Sequence, residues 1–262
     1  MNLDFSIRLS RRATVTAAML ALLAGCFGLE AVAQAPSAGA KLTSERIKEI
    51  VASPDRSDAD RANDVRRKPA EMLAFIGIVP GMVAVDLSTG GGYTTELLAR
   101  AVGPTGRVYG QSPNPAAEAR LAARSKNAAA GNMIAVVQKF EDPFPPAANK
   151  DAVDLVTIMF NYHDLGHMGV DRAQMNKAVY AALKPGGMYV IADHSGRPGT
   201  GISESGTLHR IEEAFLRKEV EAAGFRFVAE GGFLRNPADP RDKETPDPPM
   251  PKDEFVLKFV KP

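Results

Sequence analysis

Hydrophobic positions predict a strand, a turn and a helix in the stretch Val83 to Val102. Val83 to Leu87 is a short apolar run, typical of a strand buried on both faces. Ser88 to Gly92 holds three consecutive glycines, and apolar residues then recur at helical spacing from Tyr93 to Val102. Glycines let a backbone approach a ligand, and the free N–H groups of a helix start favour anions. The unit therefore indicates a site for a nucleotide-like ligand, or else an ordinary tight turn.

The same alternation continues to the end of the chain. Strands are predicted at 107–111, 134–138, 155–160 and 188–193, and helices at 113–130, 171–183 and 208–223. Two last strands, 225–230 and 255–260, have no helix between them. Strands separated by helices form parallel sheets with right-handed crossovers, whereas adjacent strands pair as a hairpin. We expect an α/β fold in which a doubly wound, mostly parallel sheet of seven strands has an antiparallel last strand.

Two helical stretches precede this unit. Thr43 to Ala52 begins with a capping residue, and Asp58 to Gly77 contains Pro69 as a break or kink. The first half of the second stretch, DADRANDVRRK, is strongly charged. Such a run is usually a solvated helix face; the alternative is a cap over a pocket.

The first 33 residues have the pattern of an export signal. Arg8, Arg11 and Arg12 precede the apolar run Ala13 to Phe27, and small residues allow cleavage after Ala33. We expect a signal peptide at 1–33, a linker with helices at 34–76, and one domain at 77–262. The protein would be exported, to the periplasm, with no membrane span in the mature chain. A lipoprotein anchored at Cys26 and a short N-terminal membrane anchor are the alternatives.

Charge and cysteine content limit the kinds of partner and of covalent cross-link that we expect. Cleavage after Ala33 removes three of 32 basic and two of 31 acidic residues, which leaves 29 of each. A neutral chain gives no indication of nucleic-acid binding, so the expected partner is a small molecule. Cys26 is the single cysteine, which excludes an intrachain disulfide. Nothing in the sequence fixes the oligomeric state.

From about Gly77 to its end the chain resembles the class I S-adenosylmethionine-dependent methyltransferases. The resemblance rests on VDLSTGGG, on DAVDLVTIMFNYHDL, on ALKPGGMYVIADHS and on the closing hairpin. It implies a Rossmann-like sheet in the order 3-2-1-4-5-7-6 with strand 7 antiparallel. The stretch GGFLRNPADPRD further resembles an exported group of bacterial predicted methyltransferases.

The resemblance implies S-adenosylmethionine as cofactor and a set of residues around it. Asp86 would lie under the glycine turn, and Gly90 and Gly92 would approach the ligand. Two features depart from the family: Ser88 replaces its first glycine, and the second strand ends without a carboxylate. The cofactor-binding set expected here is Asp86, Ser88, Gly90, Gly92, Gln111, Ser112, Glu141, Asp142 and Asn161.

Histidines and aspartates follow the fourth and fifth strands. His163 and Asp164 come after one strand and His194 after the next, at the edge where open α/β sheets bind ligands. We expect His163 with Asp164 as a general base and His194 as an acceptor contact. His167 and His209 are expected in a loop and at a helix start. Histidine and aspartate are also common metal ligands, but their spacing fits no known motif, and no metal is assigned.

The function expected on this basis is methyl transfer to an unidentified small molecule. Two alternatives stay open. The departures at Ser88 and at the end of the second strand, together with export away from the cytoplasmic cofactor supply, favour a binding protein with a degenerate methyltransferase fold. The histidine cluster favours a metal-dependent enzyme.

Overall fold

A single seven-stranded sheet organises the protein. The structure is a computed structural model, described here for residues 39–244 and 252–262. The strands are β1 Val83–Leu87, β2 Arg107–Ser112, β3 Met133–Val137, β4 Val153–Met159, β5 Leu183–His194, β6 Arg226–Gly231 and β7 Glu254–Val260. Their order is β3-β2-β1-β4-β5-β7-β6, and β7 runs antiparallel to both of its neighbours. The predicted fold class, sheet order and closing hairpin are confirmed.

Eight helices surround the sheet in the described part of the chain. They are α1 Ser44–Val51, α2 Asp58–Arg67, α3 Pro69–Ile76, α4 Tyr93–Val102, α5 Ala116–Arg124, α6 Asp164–His167, α7 Arg172–Ala182 and α8 Glu213–Ala222. Thr43 and Ser57 cap α1 and α2 by accepting backbone N–H groups. Lys68, in the left-handed region, separates α2 from α3, so the chain breaks directly before Pro69 as predicted.

Apolar side chains alternate between two cores, one on each face of the sheet. In β5, Tyr189 and Ile191 pack into one core, and Val190 and Ala192 into the other. β7 shows the same alternation, because Phe255, Leu257 and Phe259 face the first core and Val256 the second. A sheet buried on both faces exposes polar groups mainly at strand ends. Ligands therefore have access at the carboxyl edge.

The last helix begins later than the sequence predicts. It was expected from Leu208, but α8 starts at Glu213. The segment before it is pinned to the end of β5, where Ile211 donates its N–H to the His194 carbonyl. The Arg210 guanidinium is fully buried against Asp239 and against backbone carbonyls. These tertiary contacts override the helical pattern, so His209 does not start a helix as predicted.

The predicted N-terminal signal and the lipidation residue lie outside the described residues. Within 39–244 and 252–262, the helices are all too short or too polar to cross a membrane.

Candidate active site

The glycine turn leaves β1 directly above a buried carboxylate. Gly90 and Gly92 have φ of 54° and 82°, a region that residues with a side chain rarely adopt. Ser88 has φ of 57°, so a serine occupies a left-handed position that suits glycine. A Cβ on Gly92 would lie 2.8 Å from Leu121 Cδ2, which shows that this glycine also lets α5 approach the turn.

Asp86 is fixed beneath this turn by two threonine hydroxyls. Thr95 and Thr157 donate to its two carboxylate oxygens over 2.7 and 2.8 Å. Asp86 is fully buried, and burial raises its pKa to about 6 in spite of these hydrogen bonds. The site thus holds a carboxylate whose charge is only partly compensated by its neighbours.

A cavity of about 90 Å³ opens between the glycine turn and the end of β4. Its polar lining includes Arg67, Asp86, Ser88 and Asn161. Arg67, the last residue of α2, lines it, and its guanidinium lies 4.7 Å from the ring centre of Phe160. Its Nε atom is buried and has no hydrogen-bond partner among the described residues. An unpaired, buried guanidinium N–H facing a cavity fits an anionic or carbonyl group of a ligand.

Helix α2 is held over the turn by paired charges. Arg56 donates to both oxygens of Asp64 over 2.7 and 2.8 Å, and the Tyr93 hydroxyl donates to the same carboxylate over 2.6 Å. Arg124 of α5 donates to both oxygens of Asp60 and to the Gly91 carbonyl. The charged segment predicted as a solvated face or a cap over a pocket is therefore a cap.

Next to the cavity, the four histidine rings lie in a row. Ring centres are separated by 5.3 Å between His194 and His163, 5.6 Å between His163 and His209, and 5.7 Å between His209 and His167. The sequence placed His163 and His194 at this edge, but not His167 or His209. Asn161 joins the row to the cavity, because its Nδ2 donates to Asp164 Oδ2 over 2.8 Å.

His163 lies between two carboxylates. Its Nδ1 is 2.6 Å from Asp193 Oδ1 and its Nε2 is 3.0 Å from Asp164 Oδ1. Burial alone would lower the pKa of His163, but the two carboxylates outweigh it and raise this pKa to about 9. Each ring nitrogen of His163 thus has a carboxylate oxygen as its neighbour. Its predicted role as a general base, with Asp164 beside it, stays a prediction.

For His194 burial outweighs the neighbouring charges and lowers the pKa to about 3. The ring stacks on Phe160 at 5.5 Å, so it is held neutral in an apolar contact. Its Nδ1 lies 2.9 Å from Glu254 Oε1, yet the angle between them allows no hydrogen bond. Its role as an acceptor contact stays a prediction.

Comparison with known proteins agrees with this geometry. Residues 84–187 match a family model described as a methyltransferase domain. A SAM-dependent methyltransferase from Aquifex aeolicus superposes with a TM-score of 0.59 at 17% identity, over 85% of this chain and 100% of that one. A putative sarcosine dimethylglycine methyltransferase from Galdieria sulphuraria gives a TM-score of 0.58 at 15% identity, over 83% and 98%.

The chain has the class I methyltransferase fold. Among curated proteins, it is 28% identical over 123 residues to the ubiquinone/menaquinone biosynthesis C-methyltransferase UbiE of Cupriavidus taiwanensis, covering 47% of each chain. UbiE of Burkholderia vietnamiensis is 26% identical over 147 residues, which cover 53% of this chain and 56% of that protein. The chain thus spans about half the length of these curated relatives.

In this methyltransferase fold, the polar side chains at the end of β2 form hydrogen bonds to backbone groups, one of which belongs to the glycine turn. The Gln111 side chain is fully buried; it accepts from the Ser88 N–H and donates to the Gln138 carbonyl. The Ser112 hydroxyl accepts from the Asn114 N–H. Neither residue lines the cavity, so their contact with a ribose stays a prediction.

The loop after β3 carries the two predicted acidic residues. Glu141 is half-buried and accepts the Asp171 N–H at the start of α7, whereas Asp142 is exposed. Their contact with an adenine also stays a prediction.

Sequence reasoning missed three contributors to the site: Arg67, Thr157 and His209. Each meets its partners across a large separation in the chain, as with Thr157 and Asp86, 71 positions apart. The one available signal for Arg67 was its place at the end of a charged segment that was considered as a cap.

Proposed function

We propose that this protein is an exported S-adenosylmethionine-dependent methyltransferase that acts on a small molecule. The observation that carries the proposal is the buried Asp86 beneath a glycine turn, with a cavity at the carboxyl edge of a class I sheet. The match of residues 84–187 to the methyltransferase domain supports it.

The residues present fit the cofactor. Arg67 offers an unpaired buried N–H to a carboxylate, and the turn from Ser88 to Gly91 offers backbone that a ligand can approach. The cavity of about 90 Å³ lies below the roughly 300–1,000 Å³ of most small-molecule sites. Binding of the whole cofactor therefore requires this cavity to widen.

When bound, S-adenosylmethionine supplies an electrophilic methyl group on a sulfonium. The chain's own contribution is to position the two reactants, which accounts for a large part of the acceleration in such displacements. Asp86 and the turn fix one end of the site, and Asn161 joins it to the histidine row. We place the acceptor beside that row, at the ends of β4 and β5.

The curated relatives narrow the choice of acceptor to be tested first. The names of these relatives assign C-methylation in ubiquinone and menaquinone biosynthesis to those proteins. We therefore propose a demethylated quinol as the first acceptor in a panel that also contains thiols, amines and phenols.

A binding protein with the same fold is the second candidate. Two observations favour it: the cavity is only about 90 Å³, and the polar ends of Gln111 and Ser112 bond to backbone and do not line it. Such a protein would bind a ligand without forming S-adenosylhomocysteine.

The two candidates differ in turnover. Wild-type protein is incubated with S-adenosylmethionine and each acceptor, and S-adenosylhomocysteine is quantified by mass spectrometry. The proposal predicts acceptor-dependent product, lost in Gly90→Val, since valine is strained at a φ of 54° and its side chain enters the open side of the turn. Thermal melting of the variant checks that it folds. Cofactor binding without product from the whole panel would favour the binding protein.

A further inference from the structure

Three ligand-type atoms converge at the ends of β4 and β5. Nε2 of His163 and Nδ1 of His209 lie 3.0 and 2.9 Å from Oδ1 of Asp164. Around a tetrahedral ion with bonds of about 2.0–2.1 Å, ligand atoms lie roughly 3.3 Å apart. Both distances to Asp164 Oδ1 are therefore within a few tenths of an ångström of the separation that a single ion imposes, and all three ligand atoms lie within 4.8 Å of one another.

The surroundings of His163 direct one ring nitrogen towards this point. Asp193 is fully buried and accepts both the backbone N–H and the ring Nδ1 of His163, over 2.7 and 2.6 Å. A carboxylate on the far ring nitrogen is the usual outer partner of a metal-ligating histidine, because it fixes ring orientation and leaves the other nitrogen for the ion.

The other two residues are also held in place. Asn161 donates to Oδ2 of Asp164 over 2.8 Å, which leaves Oδ1 for the shared point. His209 has a left-handed φ of 53°, a strained conformation for histidine. The buried pair between Arg210 and Asp239 anchors the next residue, so the fold maintains a conformation that brings His209 to Asp164.

We propose that His163, Asp164 and His209 bind one divalent transition-metal ion of the zinc type. Imidazole nitrogens with a single carboxylate suit zinc and its first-row neighbours better than magnesium or calcium. Three protein ligands leave a further position for water or an acceptor. The His209 side chain is 38% exposed, so the cluster is open to solvent on that side. Metal binding here does not depend on methyl transfer.

Zinc binding tests the proposal directly. Protein purified without an affinity tag is treated with a chelator, dialysed and titrated with ZnCl₂ by calorimetry. One ion per chain is expected. Loss of an outer partner alone weakens metal sites by about 10–100-fold, so His209→Ala, which removes a ligand, should weaken binding by more than about 100-fold. Asp164→Asn should do the same.

His167→Ala is the matched control. This ring is equally exposed and lies in the same row, but its Nδ1 is 3.0 Å from Ser205 Oγ and 3.9 Å from Asp164. It should retain wild-type zinc affinity. Absence of stoichiometric zinc in the folded wild type would overturn the proposal, and so would unchanged affinity in His209→Ala. Cofactor binding, measured on the same samples, shows separately whether the methyltransferase proposal holds.

Discussion

At the residue scale, the position of Asp86 was predicted, but its raised pKa follows from its burial in the structure. The sequence placed it under the glycine turn, and the structure adds the two threonines and complete burial. A native carboxylate with a raised pKa favours the protonated form relative to the unfolded chain. Its stabilising effect is present below the unfolded pKa near 3.8 and is lost as pH rises through about 6.

Asp86→Asn should remove this pH dependence. A difference of about two pKa units corresponds to about 3 kcal/mol, so the variant should exceed the wild type in unfolding free energy by up to that amount at pH 8. At pH 3.5 the two proteins should differ little. Urea denaturation at both pH values measures this, and an equal difference at the two pH values would contradict the buried-carboxylate account.

The residues that sequence reasoning could not place are those that meet through tertiary contacts. Asp86, Gly90, His163 and Asp164 stand directly at strand ends, and a strand pattern locates them. His209 belongs to a stretch with helical spacing, and its true conformation depends on the burial of Arg210. Nor does a sequence show that His163 lies between two carboxylates, because Asp193 belongs to the neighbouring strand.

At the element scale, α2 borders the cavity through its last residue, Arg67. Its charged sequence does not bury an apolar face, so ion pairs to α5 and to the segment before it hold it in place. Asp60 is buried, and its bidentate pair with Arg124 joins α2 to the helix that also binds the glycine turn. Because the cavity is small and Arg67 of α2 lines it, we expect α2 to move when a ligand enters.

Asp60→Asn should therefore loosen α2. Losing charge-assisted hydrogen bonds of this kind costs about 1.5–3 kcal/mol, and the association rate of S-adenosylmethionine should rise. Surface plasmon resonance with immobilised protein and urea denaturation measure the two effects. Asp58→Asn is the control, since Asp58 lies on the same helix with an exposed pair to Arg61 and should change neither quantity appreciably. An unaltered association rate in Asp60→Asn would argue against α2 as the covering element.

Most strands and helices were predictable because apolar residues follow different sequence patterns in buried strands and in amphipathic helices. The long predicted helix at 113–130 was too long: α5 ends at Arg124, and Asn127 caps a separate short turn at Ala128–Ala130. Alanine has high helix propensity but gives little packing, so the Asn127 cap decides where the chain turns.

At the scale of the whole molecule, the sheet order followed from the family resemblance. The prediction of where the protein is located rests instead on its first 33 residues. The basic and apolar pattern before Ala33 predicts export, and those residues lie outside the described part of the chain. N-terminal sequencing of protein from its native host should begin at Gln34. A lipid on Cys26 would support the lipoprotein alternative. An intact Met1 on protein from the cytoplasm would contradict both.

The central claim is that this fold binds S-adenosylmethionine at the Asp86 turn. Calorimetric titration of the purified protein with S-adenosylmethionine and with S-adenosylhomocysteine tests it most directly, without an acceptor. The account predicts one molecule bound per chain, with a Kd in the range of ordinary enzyme substrates, about 1 μM–1 mM. Arg67→Met should weaken the affinity by about tenfold or more, as expected for losing a charge-assisted contact. Absence of binding of either compound to folded wild-type protein at millimolar concentration would contradict the account.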